Sequence, residues 1–403
     1  MSAEASSGRL PKFRKRVPFP IIGGLLTAAA LVGAAILYLA QEILAIRLAV
    51  DTHDIGVYFA SARWIIEDGR LYREVPSEYP LFANIIFAIC RYLGHLLHPG
   101  LRGFFALWIA SAWVVYLFAV YRVAAATTIL AALPWLAPAP IYFALFRFDL
   151  YPAVATLMSL FAIRRTAYTE GAVWLGVAIA LKGYALFLLP AYCVFIVSQR
   201  GFAAAFKVGA LAIAPMILSL LATLTFVGWE GTAEPFIHTL RMRNGESTYA
   251  AIDYLFGGTA GAAASEARWV GQSLQVGCAL AAAAMRPRSF EDLINAFLFA
   301  VLGFISFSVF YSPQYVLWIL PLVCFSASRI MLAMATFLSW LSYIYFPISY
   351  GLMQARHPSL FKVVVVAVSL LRLIMMFLAV KGRYGRQTPV ESASDAHSMW
   401  AGG

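Results

Sequence analysis

Acidic residues are scarce in this chain. Aspartate and glutamate together number 19 in 403 residues, and charged residues of either sign make up 12%. A soluble domain carries about a quarter, so a water-facing surface along the whole chain is excluded. Cysteine is scarce as well. Cys90, Cys193, Cys278 and Cys324 all fall inside apolar runs, and no CxxC pairing occurs. That pattern excludes a thiolate metal site or disulfide framework and fits small buried residues. No GxxxxGK[ST] loop, GxGxxG turn or HExxH helix is present, which removes the common signatures of nucleotide and zinc chemistry. The ten-residue alternating segments of a membrane β-barrel are missing. No internal repeat stands out either, which weighs against inverted-repeat carriers.

What the chain does have is apolar sequence. Hydrophobic residues make up 62%, arranged in runs of about 20 that recur along nearly the whole length. The expected fold class is all-α, a polytopic transmembrane helical protein with roughly 12 to 14 membrane segments. The net charge of +11 could indicate nucleic acid. Here, however, lysine and arginine sit in short clusters between apolar runs, as cytoplasmic loops do under the positive-inside rule, so no nucleic-acid partner is expected. Residues 1–17 read as a basic cytoplasmic N-terminus, 18–381 as the membrane domain and 382–403 as a disordered cytoplasmic tail. The run from Pro18 to Val50 is too long for a signal-peptide core and reads as an uncleaved first span. Two polar stretches, 51–80 and 228–268, then fall on the outer face. Pro134, Pro138 and Pro140 predict that 124–146 forms two half-helices, and such breaks at membrane depth line cavities. The expected location is a bacterial inner membrane, with the active face towards the periplasm.

The first outer stretch is where acids gather: Asp51, Asp54, Glu67, Asp68, Glu74 and Glu78 all lie within it. Asp51, His53 and Asp54 stand where the first span emerges. A carboxylate there can act as a general base, or it can simply be solvated at the start of a helix. No metal is expected. The segment 55–67 has Val57, Tyr58, Trp64 and Ile65 as apolar anchors and suits an interfacial helix. Tyr79-Pro80 starts the next span, ordinary punctuation for a helix. Arg147 and Asp149 flank an aromatic at a span edge, where they could form a helix-end pair or serve a site. Lys182 interrupts more than twenty apolar residues. Such a lysine costs about 2.5 kcal/mol or more in the bilayer; a bound phosphate or an ion pair with Asp149 would offset that, and Gly183 is expected to permit the break. His238, Arg241, Arg243 and Glu246 fall in the second outer stretch, where arginine forks would suit phosphate diesters. Gln314 and Tyr315 sit at another outer helix end, as substrate contacts or simple caps.

Taken in order, these pieces resemble the C-superfamily of integral-membrane glycosyltransferases, and family 87 in particular, which includes polyprenyl-phosphate-mannose-dependent mannosyltransferases. Asp54-Ile-Gly-Val57-Tyr58 is similar to that family's first-loop pattern with its catalytic Asp. Gly69-Arg-Leu-Tyr72 is similar to its turn, one residue shorter, and Tyr79-Pro80-Leu81 stands where the family often has Tyr-Pro-Pro. Arg147-Phe-Asp149 resembles its R-x-D segment. Lys182 with Leu188-Leu-Pro190 resembles its K-x-x-P-x-x-L-L-P segment, with Ala185 replacing the first proline. His238-x-x-Arg241-x-Arg243-x-x-Glu246-Ser247 and Ser312-Pro313-Gln314-Tyr315 resemble two later elements.

The resemblance implies a C-type glycosyltransferase fold and a sugar, mannose first, moved from a polyprenyl-phosphate donor to a lipid or glycan acceptor. It implies Asp54 as general base and an inverting step. Lys182 and an arginine would stabilise the leaving phosphate, with no cofactor and membrane lipids as surroundings. A transporter or flippase for a lipid-linked or small anionic substrate is the alternative, because broken helices with a buried lysine serve that role too.

Overall fold

Backbone polar groups cannot find water within lipid, so long apolar sequence is driven to close its hydrogen bonds within helices. The computed structural model describes residues 53–65, 71, 72, 74, 77–242, 244–256, 263–350 and 356–384, together with Gly24. Among these, 86% are helical and no strand forms. The expected first span, Asp51, Arg243 and nearly all of the tail after 382 lie outside the described residues.

The helices run in order as α1 (His53–Arg63), α2 (Leu81–Leu97), α3 (Leu101–Ala126), α4 (Ile129–Leu136), α5 (Pro138–Phe146), α6 (Leu150–Arg164), α7 (Tyr168–Leu181) and α8 (Gly183–Arg200). They continue as α9 (Phe202–Arg241), α10 (Thr248–Leu255), α11 (Ala263–Ala284), α12 (Phe290–Ser306), α13 (Pro313–Val323), α14 (Arg329–Tyr343) and α15 (Pro358–Tyr384). Five helices among the described residues are long and apolar enough to cross a membrane, or six if the bent pair α4–α5 counts as one span. The chain is thus a multi-pass helical protein. The proline-rich stretch breaks as its sequence predicts: α4 and α5 meet at 58°.

Helices apolar on every side belong in the middle of a bundle, and α5, α6 and α13 are of this kind. Every residue from Ala139 to Phe146 is buried, and so is every residue from Val316 to Val323. Around them α6 packs on α7, α7 on α9, α11 on α12, and α12 on α15. By contrast, only 17% of the most apolar stretch of α9 is buried, which leaves Leu218, Leu221 and Phe226 facing outward.

Two expectations are corrected here. The stretch 228–268 is not a long loop. The helix α9 continues through a kink at Gly228 (φ 74°, a left-handed conformation suited to glycine) and ends only at Arg241; α10 and α11 then occupy most of the remaining stretch. Trp229, Phe236 and Ile237 supply enough apolar surface to carry the helix on, and Pro235 does not end it. Secondly, Gly183 is not what permits the break before α8. A β-carbon there would meet nothing within 4 Å, and the break is made at Lys182, whose backbone is extended (φ −157°, ψ 127°).

Candidate functional site

The site begins in the turn between two fully buried helices. α5 ends at Phe146 and α6 begins at Leu150, so Arg147, Phe148 and Asp149 form the link. Arg147 has extended backbone (φ −132°, ψ 150°) and Asp149 is helical (φ −62°, ψ −13°). The two side chains therefore leave the turn towards different neighbours instead of pairing with each other as a helix-end pair would.

Arg147 reaches back to α1, its Nε 3.2 Å from Asp54 Oδ2. The arginine is 4% exposed and the aspartate 25%, so one is buried and its partner faces the edge. Arg147 Nη1 also donates to the Phe146 carbonyl at 3.1 Å, and the guanidinium lies 5.4 Å from the Phe346 ring. Asp149 is fully buried and receives two donors. Lys182 Nζ lies 3.1 Å from Oδ1 and 3.3 Å from Oδ2, and Trp318 Nε1 donates to Oδ1 at 2.7 Å. A buried carboxylate needs such a cation and hydrogen bonds to offset its lost hydration. Of the two readings of Lys182, the ion pair with Asp149 is present, and the lysine side chain remains 21% exposed.

Aromatic groups join the two ion pairs. The Tyr58 hydroxyl donates to Asp54 Oδ2 at 3.4 Å and accepts from the Phe148 amide at 3.1 Å. Its ring meets Tyr79 edge-on at 5.4 Å and stacks on Phe87 at 4.5 Å. Lys182 Nζ stands 5.5 Å from the Tyr79 ring and 5.6 Å from that of Trp318, in cation–π range. Trp318 stacks between Tyr184 at 4.3 Å and Tyr315 at 3.9 Å. Tyr58, Tyr79 and Tyr315 thus fall in one aromatic wall. α1 buries Ile55, Tyr58, Ser61 and Ala62 against the bundle.

The Tyr79-Pro80 turn is more than punctuation. Asn84, fully buried on α2, donates to the Tyr79 carbonyl at 2.8 Å and to the Tyr72 hydroxyl at 2.6 Å, and Tyr72 itself donates to the Tyr79 carbonyl. This ties Tyr72, Tyr79 and α2 together and fixes the Tyr79 ring beside Lys182. Glu78 sits in the same turn. Burial pushes its carboxyl above the usual range, against the opposing pull of Lys182, and the charges of Asp54 and His238 also reach it. His238 lies 3.9 Å from Glu234, one turn earlier on α9.

The remaining expected residues gather elsewhere or are peripheral. Arg241 ends α9 and is exposed, and His53 opens α1 and is exposed. Gln314 is buried at the start of α13, beside Tyr315. Glu246 is buried in a second polar cluster with Tyr345, Tyr350 and Arg372; burial raises its carboxyl above the usual range, partly countered by those partners. Arg372 is fully buried in the middle of α15. Its guanidinium lies 3.7 Å from the Tyr311 ring, and its Nη2 donates to Ser369 at 2.9 Å and Thr248 at 3.3 Å. Nε and Nη1 have no hydrogen-bond partner among the described residues. Tyr311 links the two clusters, since its ring meets Tyr315 at 5.8 Å.

Four residues of these clusters are not singled out by the sequence: Glu78, Asn84, Trp318 and Arg372. Arg372 carried a visible signal, a lone charge inside a long apolar run, the same feature that marked Lys182. Trp318 stands three positions after Tyr315, on the same helical face. Glu78 offered only its place before Tyr79-Pro80. Among the described residues no three His, Cys, Asp or Glu side chains converge as metal ligands. No protein-family model matches the chain, and no curated protein shows significant similarity to it.

Proposed function

We propose that this chain is a membrane glycosyltransferase of the C-type fold, which moves a sugar from a polyprenyl-phosphate carrier to a lipid or glycan acceptor at the outer face of the membrane. The observation that carries the reading is one juxtaposition. A partly exposed carboxylate, Asp54, and a partly exposed lysine, Lys182, share an aromatic-walled cluster, each held by an oppositely charged partner. The motif order supports mannose as the sugar.

In this scheme the donor phosphate approaches Lys182 and Arg147 and competes with Asp149 and Asp54 for them. Exchange of partners leaves Asp54 released from Arg147 and able to accept a proton. Asp54 takes the proton of the acceptor hydroxyl, the hydroxyl oxygen bonds to the anomeric carbon, and the bond from that carbon to the phosphate oxygen breaks. The electron pair leaves with the polyprenyl phosphate, whose growing charge Lys182 and Arg147 stabilise. Attack from the face opposite the phosphate inverts the anomeric centre. Tyr79 and Tyr315 present flat faces of the kind that sugar rings stack on. Trp318 and Asn84 act indirectly: the indole holds Asp149, and the amide holds the turn that carries Tyr79.

The test is transfer of radiolabel from polyprenyl-phosphate-linked mannose in membranes containing the protein. Asp54→Asn should lower transfer by roughly 10²–10⁴-fold, the usual worth of a general base, with expression and donor binding kept. Full turnover by that variant would remove Asp54 from its role. Movement of label across the membrane without a covalent product would instead favour the carrier reading, which the kink at Gly228 and the broken α4–α5 pair also suit.

A further inference from the structure

A cavity of about 540 Å³ lies at the opposite end of α7 from Lys182. The helix has 14 residues, so the two ends stand about 21 Å apart. The cavity opens between the start of α7, the end of α8 and the start of α9. Its polar lining includes Thr166, Thr169, Arg200 and Lys207, and its apolar floor is formed by Ile196 and Val208.

The cavity lining is net positive, with Arg200 and Lys207 against the single carboxylate of Glu170. That carboxylate is engaged by Arg165 at 2.9 Å. Among the described residues neither Arg200 nor Lys207 meets a carboxylate. Arg200 lies 6.0 Å from the Tyr168 ring. Backbone donors add to the positive field. Ala167 offers no side-chain cap to α7, and the first helical bond runs from the Gly171 amide, so the first-turn amides of Tyr168, Thr169 and Glu170 have no helical acceptor. Just outside the cavity the surface turns apolar, with Phe202 77% exposed, Phe206 72% and Val197 43%. A cationic hollow bordered by exposed aromatic and aliphatic side chains matches a molecule that is anionic at one end and greasy at the other. A small aqueous anion would have no use for the apolar border.

We infer that this cavity seats the phosphate headgroup of an anionic membrane lipid, with Arg200 and Lys207 on the phosphate, Thr166 and Thr169 in reach of its oxygens, and the acyl chains lying along Phe202, Phe206 and Val197. Basic pockets between membrane helices take headgroups in this way. The inference is independent of the proposed transferase activity, because none of its residues belongs to the Asp54–Lys182 cluster.

The experiment uses the full chain purified in neutral detergent and follows thermal unfolding while lipid is added. Phosphatidylglycerol should raise the midpoint saturably. Phosphatidylcholine of the same chain length, and inorganic phosphate at the same concentration, should not. The double substitution Arg200→Gln, Lys207→Gln should weaken the apparent affinity by about tenfold or more, whereas Arg102→Gln with Arg329→Gln, two exposed cations outside the cavity lining, should leave it unchanged. An equal shift with inorganic phosphate would overturn the lipid assignment in favour of a soluble anion. An equal loss in both double variants would reduce the effect to general surface charge and overturn the site. An unchanged shift in Arg200→Gln, Lys207→Gln would overturn it as well. All four cations are exposed, so the variants should fold.

Discussion

Two ionic clusters lie within one helical bundle, and they differ in how completely their charges are matched and how open they are. In the first, Asp54 meets Arg147, and Asp149 meets Lys182 and Trp318; Asp54 and Lys182 each keep about a fifth to a quarter of their side-chain surface exposed. In the second, Glu246 and Arg372 are both buried, two guanidinium nitrogens have no hydrogen-bond partner among the described residues, and the Glu246 carboxyl is pushed towards its neutral form. The first cluster is matched and reachable, which is what a substrate exchanging partners requires. The second is sealed and under-matched, which suits a structural joint. Tyr311 connects them, lying beneath Arg372 on one side and against Tyr315 on the other.

The comparison predicts unequal responses to the loss of a cation. Lys182→Met strands the fully buried Asp149 and should cost roughly 3–5 kcal/mol, as breaking a buried pair does, visible as a large fall in unfolding midpoint together with lost donor binding. Adding Asp149→Asn to it should restore most of the stability while donor binding stays absent. If donor binding returns too, the ammonium is structural only. Trp318→Phe keeps a ring between Tyr184 and Tyr315 but removes the bond to Asp149, at a cost of about 2 kcal/mol for a hydrogen bond to a charged group. An unchanged midpoint would show that Lys182 alone suffices to hold Asp149.

Arg372→Met should be milder. It loses the contact with Tyr311 and the bonds to Thr248 and Ser369, but it also removes two unmatched buried donors, so a net change of about 1 kcal/mol is expected, with transfer activity largely kept. A collapse of activity in that variant would place Arg372 in the working machinery and erase the contrast between the clusters. The smallest effect concerns Glu246. Because burial raises its carboxyl in the folded chain, the folded state is favoured most below the ordinary carboxylate pKa of about 4.3 and loses that advantage as pH rises through the raised value. Glu246→Gln should therefore gain stability relative to the parent as pH rises above the ordinary carboxylate value, read as a widening difference in midpoints. A variant that loses ground as pH rises would mean that Glu246 stands ionised against Arg372.

Much of the first cluster could be read from the sequence, because charge is so costly in an apolar run that each exception marks itself. Lys182, Arg147 and Asp149 were conspicuous on those grounds, and Asp54 by its place at the end of the first run. Their pairing was harder to read. Arg147 and Asp149 are neighbours in sequence, yet each pairs across the bundle, because the backbone between them changes from extended to helical conformation. The stretch 228–241 misled because its polar residues suggested a loop, while its apolar residues were enough to continue α9. Arg372 carries the same signal as Lys182, a charge within the apolar run of the last span. Trp318 could not be read in the same way, since an indole within VLWILPLV looks like any buried aromatic until its N–H is seen to reach a carboxylate.

The central claim is that the open cluster holds a lipid phosphate next to a carboxylate that becomes its base. A density map of the full chain with polyprenyl phosphate bound tests it most directly. The account predicts phosphate density between Lys182 and Arg147, with Asp54 separated from Arg147 and facing the space a sugar would fill. Phosphate density elsewhere, with the 3.2 Å Asp54–Arg147 contact intact, would contradict it.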